Sequence, residues 1–150
     1  MAYQRPGTSR YVCDDSISHW PATSEKFDLI VANPPYGMRL GTQYREIEPE
    51  FRTIEQFLLE KGVHSLNEKG KLIALLPQGI LFRGLHEQRL REFLVDEDLI
   101  DTIISLPGGL LLNTGIPLII MVLNKNKKIP GKVRFVDAKK FVDSKSSRER

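Results

Sequence analysis

Phe27-Asp28-Leu29-Ile30-Val31-Ala32-Asn33-Pro34-Pro35-Tyr36-Gly37 is the stretch that decides the fold of this 150-residue chain. Its first six residues are mostly apolar and include β-branched Ile30 and Val31, the pattern of a strand buried in a parallel sheet. The run stops at Pro34 and Pro35, which cannot donate to a strand ladder. A strand that ends in a rigid loop offers a ligand site, because open α/β sheets bind ligands beyond the carboxyl ends of their strands.

Outward from this stretch the chain alternates between strand and helix signals. Upstream, Val12 and its neighbours make a short strand candidate that ends in Asp14-Asp15-Ser16, followed by a polar loop over residues 18–26. Downstream, residues 38–49 form the longest loop. Phe51, Ile54, Phe57, Leu58 and Leu66 then fall near helical spacing, with Gly70 as the stop. Residues 71–76 make a strand closed by Pro77, and Leu85, Leu90, Phe93 and Leu94 mark a second amphipathic helix. Residues 100–106 and 117–123 are further strands, and residues 133–136 a short last one. This order predicts a right-handed parallel α/β unit. The connection over residues 107–115 is too short for a helical crossover, so an antiparallel hairpin is expected at the sheet edge.

Composition excludes several classes. A hydrophobic content of 41% suits a globular domain, and no apolar run approaches the ~18 residues of a membrane span. The polar first ten residues lack the apolar core of a secretion signal, which predicts a cytoplasmic protein without membrane attachment. Cys13 is the single cysteine, and His19, His64 and His86 have no partner at ligand spacing, so no metal site is expected. Charge is uneven: residues 125–150 hold 10 Lys and Arg against 3 Asp and Glu, while the whole chain carries only +3. Such a basic end either solubilises a turn and a frayed terminus or touches nucleic acid.

The chemistry lies in residues 33–36. Pro34 keeps Asn33 out of the helical region, and the two prolines fix successive φ angles while offering carbonyls without N–H groups. The loop is therefore an acceptor site, made of the Asn33 amide oxygen and a prolyl carbonyl, with the Tyr36 ring two residues on. It suits a planar amine, which brings two in-plane hydrogens and a π-face. Two acceptors on those hydrogens favour the pyramidal amine and aim its lone pair at an electrophile. Phe82 and Arg83 are candidates to face nucleic acid or to open the next helix, whereas Trp20, Phe51, Phe57 and Phe93 are packing residues.

At this point the chain resembles a known family. Residues 27–37 are similar to the catalytic motif of the S-adenosylmethionine-dependent DNA adenine methyltransferases. "GKLIALLPQGILFRG" and "LIDTIISLPGGLLLNTGIPLIIMVLNKNK" resemble the modification subunits of type I restriction systems, over residues 14–128 in all. The resemblance implies a partial Rossmann-like class I methyltransferase sheet, with parallel strands and an antiparallel C-terminal hairpin. It implies that Asn33 and the Pro34 carbonyl hold the target amine, that Pro35 shapes the turn, and that Tyr36 stacks on an adenine flipped out of duplex DNA. It also assigns Asp15 to the adenine moiety of the cofactor; the other reading of Asp15 is a loop-capping aspartate.

Two departures from the family pattern stand out. No G-x-G occurs in the chain, so the family's glycine-rich cofactor loop is missing and residues 1–142 are expected to be a partial catalytic domain, with 143–150 a basic tail. Leu110-Leu111-Leu112 stands where many relatives place an aromatic against the flipped base. The implied partners are double-stranded DNA and the specificity and restriction subunits, with self-association through an exposed strand edge. Two rival functions stay open: methylation of RNA bases or protein glutamine by the same loop, and a non-catalytic fragment that keeps only binding surfaces.

Overall fold

The computed structural model describes residues 11–22, 24–47, 49–110, 115–138 and 141. The expectations for Leu111, Leu112 and residues 143–150 lie outside that set. The sheet is built from β1 (Phe27–Ala32), β2 (Leu66–Pro77), β3 (Ile100–Ser105), β4 (Leu118–Asn124) and β5 (Arg134–Asp137). Among the described residues three α-helices, α1 (Thr42–Ile47), α2 (Ile54–Ser65) and α3 (His86–Asp96), accompany the strands, with a 3-10 turn over Gln78–Leu81. The strand order is β1-β2-β4-β3-β5. β1 runs parallel to β2, β4 is antiparallel to both β2 and β3, and β5 is parallel to β3.

Pairing brings the apolar side chains into rows on one face. Leu72 lies opposite Ile30 and Leu123, and Ala74 opposite Ala32 and Met121, which in turn faces Ile103. Leu59 and Val63 of α2 and Leu90 and Leu94 of α3 close over these rows to make the main core. At ~1.5–3 kcal/mol per fully buried aliphatic side chain, this layer is the main stabiliser of the fold. A second cluster gathers Ile17, Leu40, Phe51, Ile54 and Phe57. Trp20 packs edge-on against Phe57 at 5.2 Å and donates its indole N–H to the Ser65 hydroxyl at 2.9 Å.

The structure corrects the sequence expectations in several places. β1, expected to be buried, leaves Leu29 and Val31 exposed because the helices cover only the other face of the sheet, and β2 starts at Leu66, ahead of the expected residue 71. Val12 is exposed and belongs to no strand, because its neighbours turn around Asp15 and find no ladder partner among the described residues. Residues 38–49 include α1, and α2, the helix expected to stop at Gly70, ends at Ser65, leaving Gly70 inside β2. The last strand is shifted by one residue, to Arg134–Asp137. The hairpin is not at the sheet edge: β4 inserts between β2 and β3, and β5 takes the edge beyond. An apolar strand such as Leu118–Asn124 has most to gain from a central position with a neighbour on each side.

Candidate active site

β1 and β2 deliver their carboxyl ends side by side, so the loop after Ala32 and the turn after Pro77 face the same end of the sheet. Pro34 is buried and anchors the first loop, while Asn33 and Pro35 are exposed and Tyr36 is half-buried. The Tyr36 hydroxyl donates to the Asn33 amide oxygen at 2.8 Å. Partial burial pushes the Tyr36 phenol above its ordinary range, so the hydroxyl keeps its proton and acts as donor at neutral pH. An amide oxygen has two lone pairs, so this bond fixes the Asn33 side chain and leaves one acceptor position open. Sequence reasoning supplied both residues but not the bond between them.

Gly37 ends the loop with φ at +66°, a conformation that strains any residue with a side chain. Its N–H donates to Glu55 Oε1 at 2.6 Å. Glu55 is only 6% exposed and sits in the first turn of α2, where the helix N-terminus favours negative charge. Further pairing zips the chain after the loop onto the helix start: Ile54 N–H reaches the Met38 carbonyl at 3.0 Å, and Leu40 N–H the Arg52 carbonyl at 3.0 Å. The helix start is fixed by a capping box, in which Thr53 Oγ1 accepts from Gln56 N–H and Gln56 Oε1 from Thr53 N–H. Thr-x-x-Gln at 53–56, with Glu55 inside it, was the signal available in the sequence for this support.

Asp15 stands apart from these contacts. Its Oδ1 accepts the Ile17 N–H at 3.0 Å and its Oδ2 the Ser18 hydroxyl at 2.9 Å, an arrangement that caps the turn it opens. The Ile17 N–H is the main cause that holds its carboxyl below the ordinary carboxylate range. Asp14 lies beside His19 at 3.1 Å. Among the described residues, no group of three His, Cys, Asp or Glu side chains is placed to hold a metal ion. Among them, too, no helix is long and apolar enough to cross a membrane.

A mixed sheet in this order, two helices closing one face and an Asn-Pro-Pro-Tyr loop at a strand's carboxyl end define a class I methyltransferase-type α/β fold. The type I restriction-modification methyltransferase subunit of Streptococcus thermophilus shares it at a TM-score of 0.73, with 32% identity over 86% of this chain and 30% of that one. A Listeria monocytogenes structure assigned to the class I S-adenosylmethionine-dependent methyltransferases has the same fold at 0.65 and 18% identity, covering 82% of this chain and 40% of its own. The family profile for N-6 DNA Methylase matches residues 8–150, and the chain belongs to that family. The Type I restriction enzyme HindI methylase subunit of Haemophilus influenzae is 29% identical over 136 residues, 85% of this chain and 31% of the relative. The chain thus spans about a third or less of the curated relatives it matches.

Proposed function

We propose that residues 33–36 hold the exocyclic amine of a flipped adenine for methylation at N6, within the methylase subunit of a type I restriction-modification system. The observation that carries this reading is the Tyr36 hydroxyl on Asn33 Oδ1, which presents the amide oxygen with one lone pair free at the carboxyl end of β1. The Asn33 oxygen and the Pro34 carbonyl accept the two amine hydrogens, Pro35 sets the turn, and the Tyr36 ring lies under the base. Base–aromatic stacking of this kind is worth ~1–3 kcal/mol. The partners in this reading are duplex DNA and the specificity and restriction subunits, in the cytoplasm, and residues 1–142 are the part of the catalytic domain involved.

S-adenosylmethionine, when bound, supplies the electrophilic methyl group. The described residues do not fit it as a complete pocket. Its ribose hydroxyls and charged amino-acid end need several partners, and the chain offers Asp15, whose two oxygens already cap a turn. The Tyr44 hydroxyl is a further donor to the same carboxylate, so the assignment of Asp15 to the cofactor's adenine moiety rests on the resemblance to the family. One such contact is weak, so calorimetry on the 150-residue chain is expected to show no micromolar S-adenosylmethionine binding. Saturable micromolar heats would mean that the cofactor site has been misplaced.

The substrate is tested with the chain reconstituted with the remainder of a methylase subunit, labelled methyl donor and three acceptors: duplex DNA, RNA and a glutamine peptide. Label on the adenine amine of DNA is expected. Label confined to RNA or to glutamine would replace the reading, and no label on any acceptor would favour a binding fragment.

A further inference from the structure

Beside the catalytic loop lies a cavity of about 730 Å³, walled by Gly37, Arg39 and Arg52 on one side and by Arg83 and His86 on the other. Three arginines outnumber the two carboxylates that line it, and one of those, Glu55, is engaged by the Gly37 N–H. Among the described residues, neither the Arg39 nor the Arg83 guanidinium is in an ion pair. An arginine presents a fork of donors whose geometry matches a phosphate, and uncompensated positive charge in a concave site draws anions.

The Arg83 side of the cavity is held firmly. Arg91 Nη1 donates to the carbonyls of Ile80 and Arg83, both at 2.8 Å, and so staples the turn onto α3. The Arg83 guanidinium lies over Gly79, where a Cβ would come within 2.7 Å of Nε. Next in the chain, Leu85 takes φ +56°, a strained conformation for a leucine, and is 80% exposed, as Phe82 is at 71%. Exposed apolar groups set next to arginines suit a duplex, where phosphates and base edges are met together.

We infer that this cavity takes a backbone phosphate of the DNA strand next to the flipped nucleotide, gripped between Arg39 and Arg83 beside the catalytic loop. The inference rests on the adenine reading above and adds positioning residues to it. The grip holds the strand while the base turns into the loop over residues 33–36, and it carries no sequence information.

The test measures binding of the 150-residue chain to a fluorescent duplex bearing one unpaired adenine, across a range of salt concentrations. Each neutralised phosphate contributes about −0.9 to the slope of log K against log salt. Arg39→Gln and Arg83→Gln combined are expected to flatten the slope by about 0.9, the loss of one phosphate, and each alone by part of that, with unchanged thermal unfolding. Gly79→Ala, which displaces the guanidinium and not the fold, is expected to act like Arg83→Gln. Lys128→Gln in the basic cleft at the opposite end of β2 and β4 should leave the slope alone. Salt-independent binding by the unaltered chain, or unchanged slopes in both arginine variants, would overturn the inference. Failure here with Asn33→Ala still abolishing methyl transfer removes the grip and leaves the adenine reading standing. Flattened slopes with Asn33→Ala still active do the reverse.

Discussion

Tyr36 does two things at once, and they separate by substitution. In the function proposed above its ring takes the base, and its hydroxyl donates to the Asn33 amide oxygen. A neutral hydrogen bond is worth ~0.5–1.5 kcal/mol, or about 2- to 12-fold in rate. Tyr36→Phe should therefore lower methyl transfer by about that factor with little change in KM for DNA, because stacking is kept. Tyr36→Ala should lose both, and quenching of 2-aminopurine at the target position should show the base less firmly held. Equal activity of the Phe variant and the unaltered enzyme would mean that the hydroxyl does not orient Asn33. Residues 33–36 were legible in the sequence because proline geometry is local. Glu55, eighteen positions beyond Gly37, was not, since a buried carboxylate on a loop N–H depends on how α2 docks.

At the scale of elements, the turn between β4 and β5 hangs on Asp98. Its carboxylate accepts Lys127 Nζ at 2.5 Å and the Gly131 N–H at 2.8 Å, and the Lys127 side chain is only 4% exposed. The Lys127 bond is the first cause that holds the Asp98 carboxyl below its ordinary range; at Asp101 the first cause is the Asn124 side-chain amide. A carboxyl more acidic in the folded chain than in the unfolded one contributes fully above its unfolded value. That contribution is lost as pH falls through the folded one. Thermal unfolding should hence be insensitive to these groups above about pH 5 and should weaken below about pH 4. Asp98→Asn should lower Tm at neutral pH and flatten the acid decline; an unchanged decline would place the acid sensitivity elsewhere. Strands β1 to β4 were legible within a residue or so, apart from the early start of β2, because apolar runs bounded by proline or polar turns mark buried strands. Their order was not legible: it depends on which neighbour the apolar β4 finds, and its own residues are silent on that.

For the whole molecule, the face of the sheet opposite α2 and α3 is the telling surface. Leu29 and Val31 are 54% and 72% exposed, and strand pairing sets Val31 in one row with Ile73 and Val122. Among the described residues, nothing pairs the outer edge of β1. An exposed apolar face continuous with an open strand edge invites association. Light scattering on the 150-residue chain should show mass rising with concentration, and Leu29→Lys with Val31→Lys should suppress the rise. A monomer at every concentration would contradict this. The apolar rhythm of β1 was visible in the sequence, but which of its two faces is covered depends on where the helices pack.

The central claim is that Asn33 acts on the substrate and does not merely shape a turn. It is tested most directly by methyl transfer to adenine-containing DNA with Asn33→Ala, in the reconstituted enzyme and normalised to folded protein by near-ultraviolet dichroism. Asn33 follows the last residue of β1 and is exposed, so its truncation should leave the fold intact. Loss of one preorganised partner of the reacting group costs ~10²–10³ in rate by comparison with oxyanion-hole donors. The expected result is a fall of that order with unchanged dichroism. Near-normal turnover per folded molecule, with the cost appearing only in stability, would contradict it.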